Sequence, residues 1–456
     1  MPASVQARLS AFGSTRVPGT HTSARVVRDA VTVPTHLSHP PTAIVRMADA
    51  GDLYTSWRWT HDSHPGGVGV APAVQVDEAL AALARALPDL TDPQGLHHAL
   101  TAGGFSAYEP EHDLAQLLSR TFLPFGLAQQ LHELFTRGVR PHLRIQPSPR
   151  VAQVPWELIA PDAGLRLVDI ADVSLLAPLS IVHSPGRPVR AWTHTRQLPV
   201  VAVLDPRVPG FRADSALGSV LGRMAADSPL SQRVATYAGE GRLLPAVDGP
   251  TECFRREDVD REWLGAALRE GAGRLVYVGH VTAAAPESGQ SEHAELHLAC
   301  AADSVGFAEP TRAHRPLSAK DLLLGTHTLT AEPIRGTDLW PIPSRVALIA
   351  CESGGDLRFS EALGLVSAMI AGGAELVTAS RWALPTDLAF QRIAGATSHS
   401  CPLQDAICSI DAAHELPDAV GALCDWQRDR VAAWQDERTI EHSPVLWAAF
   451  ATVSTH

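Results

Sequence analysis

The 456-residue chain contains no Asn and a single Lys, Lys320, although Lys and Arg together number 37. This usage reads as the codon bias of a GC-rich genome, and a bacterial source is expected. The missing Asn has a chemical consequence. No Asn can orient a catalytic His, so a papain-type Cys-His-Asn triad is excluded. An N-glycosylation sequon is excluded too. The six cysteines, at 253, 300, 351, 401, 408 and 424, form no CxxC pair, which removes the zinc-ribbon and thioredoxin motifs. Their spacing fits no secreted disulfide framework, and a reducing cytoplasm is the expected compartment. No apolar run approaches the roughly 18 residues that cross a bilayer, so no membrane partner is expected. Basic charge is also in deficit, with 49 Asp and Glu and a net charge of −12. A nucleic-acid partner needs a basic face and is not expected. Residues 1–28 carry four Arg and no acid. They lack an apolar core, so a mobile basic tail is expected rather than a targeting peptide.

What is present is a globular composition, 45% hydrophobic and 19% charged, in a chain long enough for two or three domains. Residues 1–40, rich in Ser, Thr, Pro and His, are expected to form a loosely ordered arm. Residues 41–140 open with two alternating segments, TAIVRM and DLYTSWRW, around a turn at Gly51. Helical spacing follows at 76–86, 113–120 and 127–136, predicting a small α+β N-terminal domain. From residue 141 to 456 short apolar runs alternate with helical ones, the pattern of a parallel sheet with covering helices. The core spans 198–400. Its predicted elements are strands at 198–204, 275–278, 345–350 and 375–380, and helices at 216–224, 258–270, 360–371 and 387–394. The segment 281–344 is long and rich in Pro and Gly, a connection of the kind that builds binding sites.

Two apolar runs stop at a reactive residue: RLVYVGH at His280 and RVALIACESGG at Cys351. Continuous apolar runs fit strands buried on both faces. Ligands of open α/β sheets bind beyond the carboxyl ends of such strands. A thiol and an imidazole meeting there are the two parts of cysteine-based acyl transfer. Imidazole titrates near pH 6.5, so His280 can take the thiol proton and later protonate a leaving amine. The small residues after Cys351 allow a sharp turn and a close substrate backbone. The other five cysteines lack this setting. His293-Ala-Glu-Leu-His297 has the His spacing of a helical zinc site. It lacks the HExxH order and alternates like a strand, so no metal is expected. Gly66-Gly67-Val68-Gly69 reads as a loop with no following Lys-Ser/Thr, so it is not a phosphate loop.

These runs and their order resemble the CHAT family of caspase-like cysteine peptidases, relatives of caspases and separase. PWELI (155–159) looks like the family's entry segment, LPVVAVLDP (from 198) like its first core strand, VYVGH like its His strand and ALIACESGG like its Cys strand. EALGLVSAMIAGGAELVTASRW (361–382) resembles the next helix and strand, and SPVLWAAFATVS the closing strand. The resemblance covers about residues 140–456. It implies a caspase-like, mostly parallel α/β sheet flanked by helices. It also implies a Cys351 nucleophile, His280 as general base and acid, and no cofactor. The partners it implies are a protein substrate and an activating protein, in a regulatory or defence system. Backbone N–H groups of Gly279, Val281 and Cys351 would stabilise the oxyanion. The family has Gly after the His, where this chain has Val281; a β-branched residue adopts positive φ poorly. The alternative is a scaffold with the same fold and no activity. An unrelated Cys-His acyltransferase is a third reading. For the substrate's P1 residue two options oppose each other. In several caspase-like peptidases an acid at the position of Asp205 reads a basic side chain. Ser380-Arg381-Trp382, leaving the next strand, would instead use Trp382 as a wall and Arg381 to read an acid.

Overall fold

The computed structural model describes residues 40–60, 64–397 and 399–455. The predicted arm therefore lies outside the described residues, apart from Pro40. In chain order the strands are β1 (Thr42–Ala50), β2 (Asp52–Trp59), β3 (Gly67–Ala71), β4 (His142–Gln146), β5 (Asp172–Leu176), β6 (Val200–Leu204), β7 (Leu243–Leu244), β8 (Arg274–Val278), β9 (Val281–Thr282), β10 (Glu295–Leu296), β11 (Leu317–Ser318), β12 (Arg345–Ile349), β13 (Leu376–Ser380) and β14 (Phe450–Ser454). Every residue of β6, β8, β12, β13 and β14 is buried. That is the expected outcome for continuous apolar runs with helices on both faces. By contrast β2 alternates buried and exposed residues, with one face to the core and one to solvent.

Eleven strands form one sheet in the order β3-β2-β1-β4-β5-β14-β13-β12-β8-β6-β7. The pairs from β13 through β12 and β8 to β6 and β7 are parallel. So are those from β1 through β4 and β5 to β14. Antiparallel pairing of β13 with β14 joins the two groups, so the sheet runs in opposite directions on either side of that seam. The strands β1–β3 extend this same sheet, and Pro40–His456 forms one compact unit. Residue 140 is therefore no break in the packing. Glu111 reinforces this: it lies on the helix Tyr108–Phe122, is fully buried, and pairs with Arg166 at 2.9 Å and with Trp434 Nε1 at 3.0 Å.

Most predicted helices are present, among them Ala73–Ala86, Tyr108–Phe122, Phe125–Thr136, Arg261–Glu270 and Asp387–Ile393. One is not: residues 216–224 form turns. Their apolar spacing is helical, but Gly218 and Gly222 weaken a helix, and Gly222 sits at φ +68°. The carboxylate of Asp205 also accepts the N–H groups of Val220 and Leu221, which a helix would use internally. The helix predicted at 360–371 is shorter, Leu365–Ala371. Its first turn is capped from outside by Asp356, which accepts from Ser367 N and Oγ. Gly67–Gly69, read as loop, belongs to β3.

Candidate active site

The strands β8 and β12 are parallel neighbours, with Val278 opposite Ile349. His280 and Cys351 each lie two residues past that pair, beyond the carboxyl ends of these neighbouring strands. Gly279 N–H donates to Ile349 O at 3.3 Å and carries the pairing past the end of β8. A Cβ on Gly279 would lie 2.7 Å from the Tyr277 hydroxyl, so only glycine fits between strand and His. That buried hydroxyl is 2.6 Å from His280 O and 2.9 Å from His297 O, and fixes the main chain where the His emerges.

The His280 ring is held by Nε2, 3.1 Å from Gly218 O. A carbonyl only accepts, so Nε2 carries the proton and Nδ1 keeps its lone pair. The same carbonyl accepts from Arg255 Nη1 at 2.9 Å, and Arg255 Nη1 also pairs with Asp205 Oδ1 at 3.3 Å. Burial lowers the His280 pKa; the Gly218 carbonyl and the Asp205 charge oppose this, and Arg255 adds to it.

Cys351 is half-buried in the turn after β12. The turn is pinned to β13 and its exit: Glu352 N–H donates to Trp382 O at 3.2 Å and Gly354 N–H to Ser380 O at 2.9 Å. Ser353 Oγ donates back to Leu348 O at 2.6 Å. Glu352 pays for this with φ +50°, a strained conformation for a residue other than glycine. The Cys351 thiol accepts from Leu384 N–H at 3.4 Å. Burial raises its pKa; the Leu384 amide opposes this and the Glu352 charge adds to it. Among the described residues no hydrogen bond joins the thiol to His280. Each group is held from its outer side, His280 by the loop after β6 and Cys351 by the loop after β13.

Of the expected oxyanion donors, Gly279 is not available, because Ile349 O takes its N–H. Val281 is better placed. It has no positive φ and lies in β9, at the edge of a three-strand sheet, β11-β10-β9. His297 N–H donates to His280 O at 3.1 Å, and Val281 pairs with Leu296. In an antiparallel ladder this makes Val281 a non-hydrogen-bonded position, whose N–H points away from β10 to the open edge. An extended backbone suits a β-branched residue, so Val281 needs no glycine.

The four expected substrate residues are all buried. Asp205 is 1% exposed, and Ser219 Oγ, Val220 N–H, Leu221 N–H and Arg255 occupy its carboxylate. Ser380 is buried and donates to Ala350 O. Arg381 is 3% exposed, pairs with Glu157 of the PWELI segment at 2.9 Å and donates to the carbonyls of Ala448 and Phe450. Trp382 is fully buried, donates to Val445 O at 2.8 Å and stacks on Phe105. These side chains are struts of the core. Neither the basic nor the acidic P1 reading has an open side chain to carry it. Gly218 and Leu384, which touch the candidate pair, and Arg255, which bonds the Gly218 carbonyl, have no sequence signal beyond their loop positions.

Behind β9 a chain of hydrogen bonds runs inward. His314 Nδ1 lies 2.9 Å from Cys300 O, His314 Nε2 3.0 Å from His297 Nδ1, and His297 Nε2 2.8 Å from Thr282 Oγ1. The carbonyl end sets the order: His314 donates to it, His297 donates to His314, and Thr282 donates to His297. Both rings are neutral in this chain, and burial pushes His297 down to about 3, with the two neighbouring His charges adding to it. Among the described residues no group of three His, Cys, Asp or Glu is placed to hold a metal ion. No described helix is long and apolar enough to cross a membrane.

Compared with models of protein families, residues 112–455 match the one described as the CHAT domain. Among solved structures the chain is similar to a chain in each of two crystal structures of the Saccharomyces cerevisiae separase-securin complex, at 3.0 and 2.6 Å resolution. Identity is 9% in both, and the TM-scores are 0.41 and 0.44. The alignments cover 91% of this chain and 30% of the other, so the chain spans less than a third of those proteins. No curated protein sequence matches it.

Proposed function

The chain belongs to the CHAT-domain family, and from that membership we propose that it is a cysteine endopeptidase acting on a protein partner. The observation that supports the reading is the parallel pairing of β8 with β12, since His280 and Cys351 each follow two residues beyond the Val278–Ile349 pair. Nδ1 of His280 takes the thiol proton as Cys351 Sγ attacks the scissile carbonyl carbon. The carbonyl oxygen becomes an oxyanion facing Val281 N–H. Collapse breaks the C–N bond, the leaving amine takes the proton from Nδ1, and a thioester remains. Water, deprotonated by Nδ1, then attacks the thioester and releases the acid and the thiol. Nε2 stays on the Gly218 carbonyl throughout.

The described geometry fits a resting state of such an enzyme. The thiol accepts from the Leu384 amide, makes no hydrogen bond to Nδ1 among the described residues, and has its pKa raised by burial. An activating protein that moves the loop at Leu384 would supply the trigger. A reducing, cytoplasmic setting suits a free reactive thiol. The scaffold alternative loses its main support, because Val281 sits in an ordinary extended conformation.

The test is labelling with a peptidyl acyloxymethyl ketone, read by mass spectrometry at each cysteine. Labelling concentrates on Cys351, disappears in Cys351→Ala and falls by about 10²-fold or more in His280→Ala. Cys351 labelled equally fast with and without His280 removes the reading.

A further inference from the structure

His280 is oriented by a main-chain carbonyl, and a carbonyl is only as well placed as its loop. The loop 206–228 has no regular structure until Ser228 caps the helix Pro229–Gly239. Its middle is nevertheless tightly held. Asp205, at the end of β6, accepts Ser219 Oγ at 2.6 Å, Val220 N–H at 3.1 Å and Leu221 N–H at 3.4 Å. Ser219 Oγ in turn accepts Gly222 N–H at 2.9 Å. Arg255 closes the circle by bonding both the Asp205 carboxylate and the Gly218 carbonyl. Gly218 is packed so closely that a Cβ would lie 2.3 Å from Ala213 O. Asp205 and Arg255 themselves stand at φ +51° and +56°, strained for side chains of their size and kept so by these contacts.

We propose that Asp205 and Arg255 are positioning residues for His280: together they fix the Gly218 carbonyl, and through it the single imidazole tautomer that leaves Nδ1 free to act as base. The proposal rests on the peptidase reading for its use, and on the hydrogen-bond circle for its existence. It also assigns Asp205 a role different from substrate recognition. A carboxylate already accepting from three loop donors and an Arg has no lone pair left for a substrate cation. Arg255 gives the arrangement a second property. By drawing on the same carbonyl oxygen as His280, it weakens that oxygen's pull on the ring and disfavours imidazolium. Asp205 opposes it. The charged groups around the ring are thus Asp205 and Arg255, with His297 neutral behind the strand.

The full-length protein, labelled with ¹⁵N at histidine, reports the tautomer directly in long-range proton–nitrogen spectra, with His280 assigned by its absence in His280→Gln. The parent shows one protonated and one unprotonated ring nitrogen, Nε2 and Nδ1. Arg255→Gln and Gly218→Ala move the two signals toward the average of mixed tautomers, and Arg255→Lys restores them in large part. Asp205→Asn does the same as Arg255→Gln. If Asp205→Asn fails to fold, Arg255→Gln alone decides, because Arg255 is only partly buried whereas Asp205 is 1% exposed. The second readout is the rate of Cys351 alkylation by iodoacetamide against pH. The His280-dependent limb shifts in Arg255→Gln, and rates fall by about tenfold or more, within the roughly 10⁴-fold loss that a wrong His tautomer causes in a serine peptidase. Unchanged ring signals and an unchanged limb in both variants overturn the proposal. So does a loss in Asp205→Asn confined to substrates with Arg or Lys at P1, because a positioning residue lowers all P1 classes alike. The tautomer is read without substrate. A chain in which it depends on Arg255 while Cys351 alkylates independently of His280 keeps the clamp and removes the peptidase reading.

Discussion

The strands β12 and β13 lie side by side, run parallel, have five residues each and are buried throughout. Their ends could hardly differ more. The first releases Cys351 into a strained, partly open turn. The second releases Ser380-Arg381-Trp382 straight into the core, where Glu157, Val445 and Phe105 receive them. Nothing local to the strands explains this. The difference is what lies beyond. Past β13 comes the corner that turns into β14 together with the segment 155–159, and both need donors for their carbonyls and a partner for a buried acid. A strand end is a site only where no other segment closes over it.

The largest test of that contrast is Arg381→Ala. It leaves Glu157 buried without its partner and two carbonyls without a donor, and should destabilise the protein by about 3–5 kcal/mol. Cys351→Ala, at the neighbouring strand end, should shift urea-induced unfolding by less than about 1 kcal/mol while abolishing probe labelling. Equal stability losses at both positions would erase the distinction between strut and site.

Acid comes next in size. His142, His297 and His414 are buried neutral, with folded pKa values lowered to about 4, 3 and 3, burial being the first cause in each. Above the unfolded value near 6.5 they are neutral in both states and stability is complete. As pH falls from 6.5 toward 3–4 the unfolded chain binds protons the native one refuses, so each His removes about 1.4 kcal/mol per pH unit. Glu295, pushed up to about 7 by burial and the Asp321 charge, works the other way between 7 and 4.5. Of the groups with the largest shifts in this range, three His outweigh one Glu, and a net loss is expected, measured as a lower urea midpoint at pH 5.0 than at pH 7.5. His297→Gln should reduce that pH dependence.

The smallest effect is expected at Val281. Its N–H already points to the open edge from an extended backbone, so Val281→Gly should change Cys351 labelling by no more than a few-fold. A silent parent with a reactive Val281→Gly variant would show that the side chain blocks the site, and would return the scaffold reading to favour.

Sequence patterns carried the strands well, because short apolar runs such as Leu275–Val278 and Val346–Ile349, four residues each, have few other homes. They also read His280 and Cys351 as following two buried strands, and those strands are parallel neighbours. They failed in two physical situations. At 216–224 the apolar spacing is helical, but a carboxylate from another element captures the amides, and periodicity does not register that competition. At 380–382 polar and aromatic residues after a strand suggested an accessible pocket, while their burial depends on partners at 105, 157 and 445, far away in the chain. Gly218 illustrates the same limit: what it contributes is a main-chain oxygen, which no residue name encodes.

The antiparallel seam also orders events during synthesis. Among the described strands β14 alone stands between β5 and β13 in the sheet and follows the others in sequence, pairing Val453 with Leu175 and Ser454 with Leu376. Until residue 454 leaves the ribosome, the two halves of the sheet have no common neighbour. Until then β5 (DVSLL), and β13 (LVTAS) once it is made, each present an unpaired strand edge. Such long-range closure is slow and exposes sticky strands meanwhile. One five-residue strand thus decides when the two halves of the sheet become one.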